Sequence, residues 1–181
     1  MLENDRTQER EDRHHITQED FTPKSVAETM VGMAGPVLTD FTKTVLDNSC
    51  GIGNLLCEVL SRRLARCTST EDAVRAVSTL YGVELMADNV EECRTRLYSL
   101  VTSAFPSIVD NALMDRELKS IVKNRIQWCD SLAFDYDRWP EITKWSDEDE
   151  KLGFTEAETP EDTKYPMWHK ERKSLELTLF Q

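Results

Sequence analysis

The 181-residue chain has little of what several classes of protein require. It contains five cysteines and three histidines, but no two cysteines form a C-x-x-C pair, so we do not expect a zinc or other metal site. No apolar run approaches the length of a membrane-spanning helix, so we expect no membrane association. An odd number of cysteines without a signal peptide is typical of a reducing compartment, and we therefore expect a cytoplasmic protein.

Basic surface is also scarce. Lysine and arginine total 22 against 34 acidic residues, which gives a formal net charge of −12 at pH 7. The basic clusters Arg62-Arg63 and Lys170–Lys173 are short, and solvated helix faces explain them. Because phosphate contacts dominate the affinity of proteins for duplex DNA, we expect this chain to reach DNA only through a partner.

The most informative stretch that the chain does contain is VLDNSCGIGNLL at Val45–Leu56. An apolar run ends in Asp47, a turn containing Gly51 and Gly53 follows, and then an apolar helix begins. Glycine permits positive φ and close approach of the backbone to a ligand, and the first turn of a helix offers unpaired N–H groups. Because α/β sheets bind ligands at the carboxyl ends of their strands, the stretch predicts a site for a nucleotide-like cofactor.

Three other segments extend this pattern: DFTPKSVAETM at Asp20–Met30, LYGVEL at Leu80–Leu85 and NRIQWCDSL at Asn124–Leu132. The last two each read as a strand that ends in an acid, Glu84 or Asp130. In order, the four segments resemble the S-adenosylmethionine-binding elements of N6-adenine DNA methyltransferases, of the type I modification-subunit or type II gamma-class kind. The resemblance covers residues 18–137 and implies a role in DNA methylation within a restriction-modification system.

The resemblance and the hydrophobic periodicity together predict an α/β fold. We expect a partial Rossmann-like class I methyltransferase domain, with helices on both faces of a short, mostly parallel sheet, over residues 17–140. A polar arm at 1–16, an acidic linker at 141–165 and a tail segment at 166–181 would flank it. Residues 146–163 lack periodicity and are expected to be an unstructured part of that linker.

Two helices carry more specific expectations. Val26, Met30 and Met33 are spaced as the apolar stripe of a helix, so we expect these side chains to face the core. Ile108–Val122 reads as one further helical piece, and the helix from Ala87 should point Val90, Cys93, Leu97 and Val101 inward.

The resemblance implies a role for each residue of the cofactor site. Asp47 would lie near the methionine amino group, Glu84 would accept hydrogen bonds from the ribose hydroxyls, and Asp130 would accept one from the adenine amino group. An ionised carboxylate suits a diol because it accepts two hydrogen bonds at once. The residues expected to bind S-adenosylmethionine are Phe21, Thr22, Pro23, Asp47, Ser49, Cys50, Gly51, Gly53, Glu84, Leu85, Asp130, Ser131 and Leu132.

The catalytic motif of the family, [D/N/S]-P-P-[Y/F/W], is missing, since no Pro-Pro pair occurs in the chain. Its expected position holds KWSDEDEK, Lys144–Lys151. In the family this motif orients an adenine that has been flipped out of the duplex. We therefore assign no catalytic residue and expect the isolated chain to be inactive. An incomplete, accessory or split form, completed by another methyltransferase chain, is the function that the sequence favours.

The last segment, SLELTLFQ at Ser174–Gln181, has two interpretations. Its alternation predicts a strand that pairs with Val45–Asp47, or else the same edge is covered by self-association. Residues 175–180 also resemble the Q-L-[S/D]-L-F peptide that binds the bacterial sliding clamp. In that case the chain is a non-catalytic interaction protein, such as a clamp-binding adaptor or an anti-restriction decoy, that uses the methyltransferase fold as a scaffold.

Overall fold

The computed structural model describes residues 21–154. Three strands, β1 (Val45–Asp47), β2 (Leu80–Glu84) and β3 (Ile126–Trp128), form an open parallel sheet in the order β1-β2-β3. Eight helices occur within residues 21–154: α1 (Lys24–Ala34), α2 (Pro36–Thr39), α3 (Asn54–Leu64), α4 (Thr70–Ser78), α5 (Ala87–Ala104), α6 (Ser107–Asp110), α7 (Ala112–Arg125) and α8 (Asp147–Leu152). The prediction of a partial Rossmann-like α/β fold is confirmed.

Helices connect successive strands, as parallel pairing requires. The chain runs from β1 through α3 and α4 to β2, and from β2 through α5, α6 and α7 to β3. Helices α3, α4, α5 and α7 all contact β2. Helices α4 and α5 contact each other, and each also contacts both α3 and α7. Alternate residues of a strand point to opposite faces. Gly82 lies against Leu56 of α3, whereas Tyr81 packs edge-on against the ring of Trp139, with 4.8 Å between centroids.

Local sequence signals set most helix boundaries. The Ser69 hydroxyl accepts the Asp72 backbone N–H at 3.1 Å and caps α4. Asn111 does the same for α7, because its side-chain oxygen accepts the N–H of Leu113 at 3.2 Å. The predicted single helix over Ile108–Val122 is therefore wrong: an asparagine cap divides it into α6 and α7.

The prediction for the buried face of α1 is also wrong. Ala27 and Val31 are fully buried, whereas Val26 and Met30 are about half exposed and Met33 is 84% exposed. The buried face is the neighbouring one, because α1 packs against α3 through the small side chain of Ala27. The sequence pattern led to the wrong face because it contains three large apolar residues there, whereas the buried face includes a small alanine.

After β3 the chain folds back toward the start of that strand. The Trp139 indole N–H donates to the Asn124 carbonyl at 3.0 Å. Further on, the Trp145 backbone N–H donates to the Ser120 hydroxyl at 2.8 Å, and the Trp145 side chain is buried. Helix α8 then begins with a capping box in which Ser146 and Asp149 exchange hydrogen bonds.

The acidic residues of α8 pair with bases of α7. Lys119 lies 2.8 Å from an Asp115 carboxylate oxygen and 2.9 Å from a Glu150 oxygen, and Lys123 pairs with Asp149. The prediction that residues 146–163 are unstructured is therefore wrong for 146–154, and 155–163 lie outside the described residues. The broader division into arm, domain, linker and tail stays a prediction.

Strand β1 is an edge strand within residues 21–154. Its Val45 N–H donates to the Thr79 carbonyl at 2.9 Å, on the β2 side. In a parallel ladder the next residue, Leu46, directs its N–H and carbonyl away from β2, and Leu46 is 47% exposed. Residues 175–180, the candidate for covering this edge or binding a clamp, lie outside the described residues.

Two classes of feature are not found among residues 21–154. None of the helices there has the length and apolar character that crossing a bilayer requires. No group of three His, Cys, Asp or Glu side chains in this part of the chain is placed to hold a metal ion.

Candidate cofactor site

The carboxyl ends of the three strands lie at one edge of the sheet. Asp47 pairs in register with Gly82, and Glu84 pairs with Trp128. The loop after β1 is tied to β2 because the Cys50 N–H donates to the Val83 carbonyl at 3.1 Å. The loop after β3 is tied there too, through the Cys129 N–H and the Glu84 carbonyl at 2.9 Å. The three acids predicted from sequence therefore belong to one edge of one sheet.

Gly51 and Gly53 shape the turn between β1 and α3. Both adopt positive φ, +52° and +80°, which residues with a Cβ rarely do. Gly53 has a second constraint, since a Cβ there would lie 2.5 Å from the Cys93 sulfur. The turn therefore requires glycine at Gly53 for both its conformation and its space.

Glu84 connects this turn to the end of β2. Its carboxylate is 8% exposed. One oxygen accepts the Gly51 N–H at 2.8 Å, and the other accepts the Met86 N–H at 2.9 Å. These two bonds fix the carboxylate between the glycine turn and the start of α5.

Asp47 lies at the opposite side of the same turn. Burial raises the pKa of its carboxyl group, against the opposing effect of the Ser49 N–H, which donates to it at 3.2 Å. Burial destabilises the ionised form of such a carboxyl group, and a nearby cation would stabilise it.

The segment before α1 lies over the glycine turn. The Phe21 ring is 3.3 Å from the position that a Cβ of Gly51 would take. The Asn54 side-chain amide donates to the Thr22 carbonyl at 2.8 Å. The fold thus brings Phe21, Thr22 and Pro23 next to the turn. Their order in the sequence did not determine this proximity.

The loop after β3 forms the far side of the edge. One Asp130 oxygen accepts the Leu132 N–H at 2.9 Å, and the Trp128 indole N–H donates to the Leu85 carbonyl at 2.8 Å. Leu132, the residue expected to line the adenine ring, is 95% exposed. The other expected members of this loop, Asp130 and Ser131, are half-buried.

Two residues at this edge escaped sequence reasoning. The Tyr136 hydroxyl donates to the Ser131 carbonyl at 3.0 Å, within the loop after β3. Arg96 of α5 donates to the Ile52 carbonyl inside the glycine turn at 2.6 Å. Neither residue belongs to a motif, and neither carried a signal in the sequence.

Three cysteine thiols lie beneath the turn and are buried: Cys50, Cys57 and Cys93. Burial raises the pKa of Cys57 to about 11. The Cys93 thiol hydrogen-bonds Cys50, which together with burial raises its pKa as well. Buried thiols of this kind are unreactive, and here they act as small packing groups beside Gly53 and Gly82.

Comparison with known proteins gives no match: no protein-family model, no curated protein and no solved structure aligns with this chain. The methyltransferase resemblance therefore depends on the four sequence segments and on the way their residues lie in the fold.

Proposed function

We propose that the chain binds S-adenosylmethionine or its demethylated product, as an N6-adenine DNA methyltransferase-like protein in an incomplete, accessory or split form. One observation carries the proposal. The left-handed turn at Gly51 and Gly53, the buried carboxylate of Glu84 and the carboxylate of Asp130 all lie at the carboxyl edge of one parallel sheet.

The chemistry of this edge suits the three parts of such a cofactor. Glu84 is buried at the end of β2, next to the glycine turn whose Gly51 N–H it accepts, and we propose that it binds the ribose diol, because a carboxylate accepts hydrogen bonds from hydroxyl groups. Asp47, whose pKa is raised by burial, would gain from the cationic amino group of the methionine part. Asp130 would accept a hydrogen bond from the adenine amino group, and Phe21 would cover the glycine turn.

The region that should hold the catalytic motif serves a different purpose. Trp145, Ser146 and Asp149, which fall within the KWSDEDEK string, pack onto α7 and form the capping box of α8. These groups are engaged in the fold and are not available to orient an adenine. This supports the proposal that methyl transfer, if it occurs, needs residues from another chain.

The open edge of β1 supports the split form. In the methyltransferases that this chain resembles, a further strand lies beside the first strand and carries the catalytic motif. Here the outward N–H and carbonyl of Leu46 have no partner within residues 21–154. A complementing methyltransferase chain, or a second copy of this one, is the partner that we propose there, and DNA would be contacted through that partner.

Calorimetric titration of the full chain with S-adenosylmethionine tests the proposal. Glu84→Ala should weaken binding by roughly 1–3 kcal/mol, the range for leaving a polar partner unsatisfied. Because Glu84 also holds the glycine turn, Asp130→Asn provides a second variant, and Asp110→Asn on exposed α6 is the control. Absence of both heat and a thermal shift at millimolar ligand would overturn the proposal.

A transfer assay tests the proposed need for another chain. Pure protein with labelled S-adenosylmethionine and duplex DNA should give no labelled adenine, since the motif that orients the base in the family is missing from the sequence. Transfer by the isolated chain would show that an unrecognised residue performs that role.

A further inference from the structure

Helix α5 sends one side chain into the glycine turn. Arg96 uses a single nitrogen, Nη1, for two bonds: to the Ile52 carbonyl at 2.6 Å and to the Asn54 side-chain oxygen at 2.8 Å. Both bonds are partly buried, where a charged donor contributes more than it would in water.

Asn54 passes this constraint to the segment that precedes α1. With its oxygen engaged by Arg96, the Asn54 amide has its nitrogen directed at the Thr22 carbonyl, 2.8 Å away. An asparagine whose oxygen is held by a cation cannot flip its amide without losing both bonds. The orientation of Asn54, and with it the bond to Thr22, is therefore set by Arg96.

The end of this chain of contacts is Phe21. Its ring lies 3.3 Å from the Cβ position of Gly51, in the turn that the proposed cofactor would contact. Thr22 and Pro23 are themselves exposed and Phe21 is only half-buried. The Asn54 contact with the Thr22 carbonyl is thus a direct link between α3 and this exposed segment.

We propose that Arg96 is a positioning residue for the ligand site: acting through Asn54, it holds the Phe21–Pro23 segment over the glycine turn. Arg96 would not contact the ligand. Retention of the ligand would depend on it because the covering segment does. The effect on ligand retention rests on the proposed function, whereas the placement of the Phe21–Pro23 segment does not.

The chain offers well-matched variants. Both bonds come from one nitrogen of Arg96, so Arg96→Lys can replace them with a single ammonium group that has three donors. Arg96→Met keeps a long side chain but removes the donors. Arg96 lines an open cleft of about 560 Å³, so neither substitution is forced into a packed core. Asn54→Ala removes the next contact in the series.

Arg62→Met is the matched control. Arg62 is also half-buried, but it donates to the Glu28 carbonyl of α1 at 2.8 Å and to Glu58 of its own helix at 2.6 Å, rather than to the glycine turn or Asn54. A general loosening of α1 would affect both variants, whereas loss of the Thr22 contact would affect only Arg96→Met and Asn54→Ala.

Hydrogen exchange without ligand tests the placement. The Val26 and Ala27 amides bond to the Pro23 carbonyl at 2.9 and 3.0 Å and report on the order of this segment. Their exchange should be faster in Arg96→Met and Asn54→Ala, and close to wild type in Arg96→Lys and Arg62→Met. Unchanged exchange in Arg96→Met, or an equal rise in Arg62→Met, would overturn the proposal.

Calorimetry tests the consequence for binding. Arg96→Met should weaken S-adenosylmethionine binding roughly tenfold, as expected for loss of one well-formed hydrogen bond, and Arg96→Lys should restore it. Wild-type affinity in an Arg96→Met protein whose exchange is faster would refute the link to ligand retention. A wild-type chain that does not bind at all would refute the proposed function, and the exchange data would still decide the placement.

Discussion

Gly53 shows how strongly one position can be constrained. Gly53→Ala should destabilise the fold, because it combines a left-handed conformation, which costs about 1–2 kcal/mol, with a Cβ 2.5 Å from the Cys93 sulfur. Overpacking of that kind adds about 1–3 kcal/mol. The free energy of unfolding in urea measures the total.

Shortening Cys93 separates the two contributions. In a Cys93→Ala background the sulfur that lies 2.5 Å from the Cβ position of Gly53 is absent. Gly53→Ala should then show mainly the cost of the left-handed conformation. An equal loss with and without the Cys93 sulfur would mean that the space beside Cys93 is not limiting.

Arg63 is a fully buried cation that bonds neutral groups. It donates to the Leu38 and Lys43 carbonyls at 2.8 and 2.9 Å, to the Thr79 hydroxyl at 2.7 Å and to the Ala76 carbonyl at 3.2 Å. Its planar group thereby joins the C-terminal part of α3 to the segments that precede β1 and β2.

Removing the Arg63 guanidinium should cost about 3 kcal/mol or more, because each buried acceptor left without a donor costs about 1–3 kcal/mol. Arg63→Met tests this by urea denaturation. Arg63→Lys should recover only part of the loss, since an ammonium lacks the fork that reaches four acceptors. Arg66→Met, one turn later and exposed, is the control and should change little.

At the scale of the element, α8 depends on Asp149. Burial raises the pKa of Asp149, but hydrogen bonds from Lys123 and Ser146 outweigh it and hold the pKa at about 2. A carboxyl group whose pKa is lowered by folding stabilises the protein above its unfolded pKa of about 4, and that stabilisation is lost as the pH falls toward 2.

Asp149→Asn should therefore lower the melting temperature at pH 7, by an amount corresponding to roughly 1–3 kcal/mol. The difference from wild type should narrow as the pH falls from about 4 toward 2. Glu148→Gln, at an exposed position of the same helix, is the control and should show no such narrowing. A constant difference between Asp149→Asn and wild type at all pH values would contradict the assignment.

What the sequence could predict depends on the range of the interactions. All four inward residues expected in α5 are buried: Val90, Cys93, Leu97 and Val101. The pattern succeeded because packing along one helix repeats every few residues. Helix α8 could not be recognised in this way, because the partners of its acids lie on α7, some 26 to 31 residues earlier.

The same distinction between local and long-range interactions applies to the candidate site. Asp47 and Gly53 could be assigned from sequence alone, because the strand, the acid and the glycine turn follow one another along the chain. Glu84 and Asp130 could be assigned because each ends its own strand. Tyr136 and Arg96 could not, since each contacts the site through a loop or helix with no local signature.

At the scale of the whole molecule, the free edge of β1 leads to a prediction about the tail. If residues 174–180 pair with this edge, or copies of the chain associate there, deleting Ser174–Gln181 should cause aggregation or a lower melting temperature, because an uncovered apolar edge invites pairing between chains. Light scattering and thermal unfolding measure both outcomes.

A second variant makes the result specific to the edge. In the deletion background, Leu46→Lys should reduce aggregation, since a charge on an edge strand discourages pairing. A monomeric deletion variant with unchanged melting temperature would exclude tail pairing and favour the clamp-binding interpretation of residues 175–180.

The placement of the tryptophans also gives the molecule separate optical reporters. Trp128 ends β3 and bonds the Leu85 carbonyl at the candidate site, whereas Trp139 and Trp145 lie on the returning segment that packs against Tyr81 and α7. With Trp139, Trp145 and Trp168 replaced by phenylalanine, the emission of Trp128 would follow occupancy of the sheet edge. With Trp145 alone retained, the emission would follow detachment of α8, so each event could be timed in its own single-tryptophan variant without an added dye.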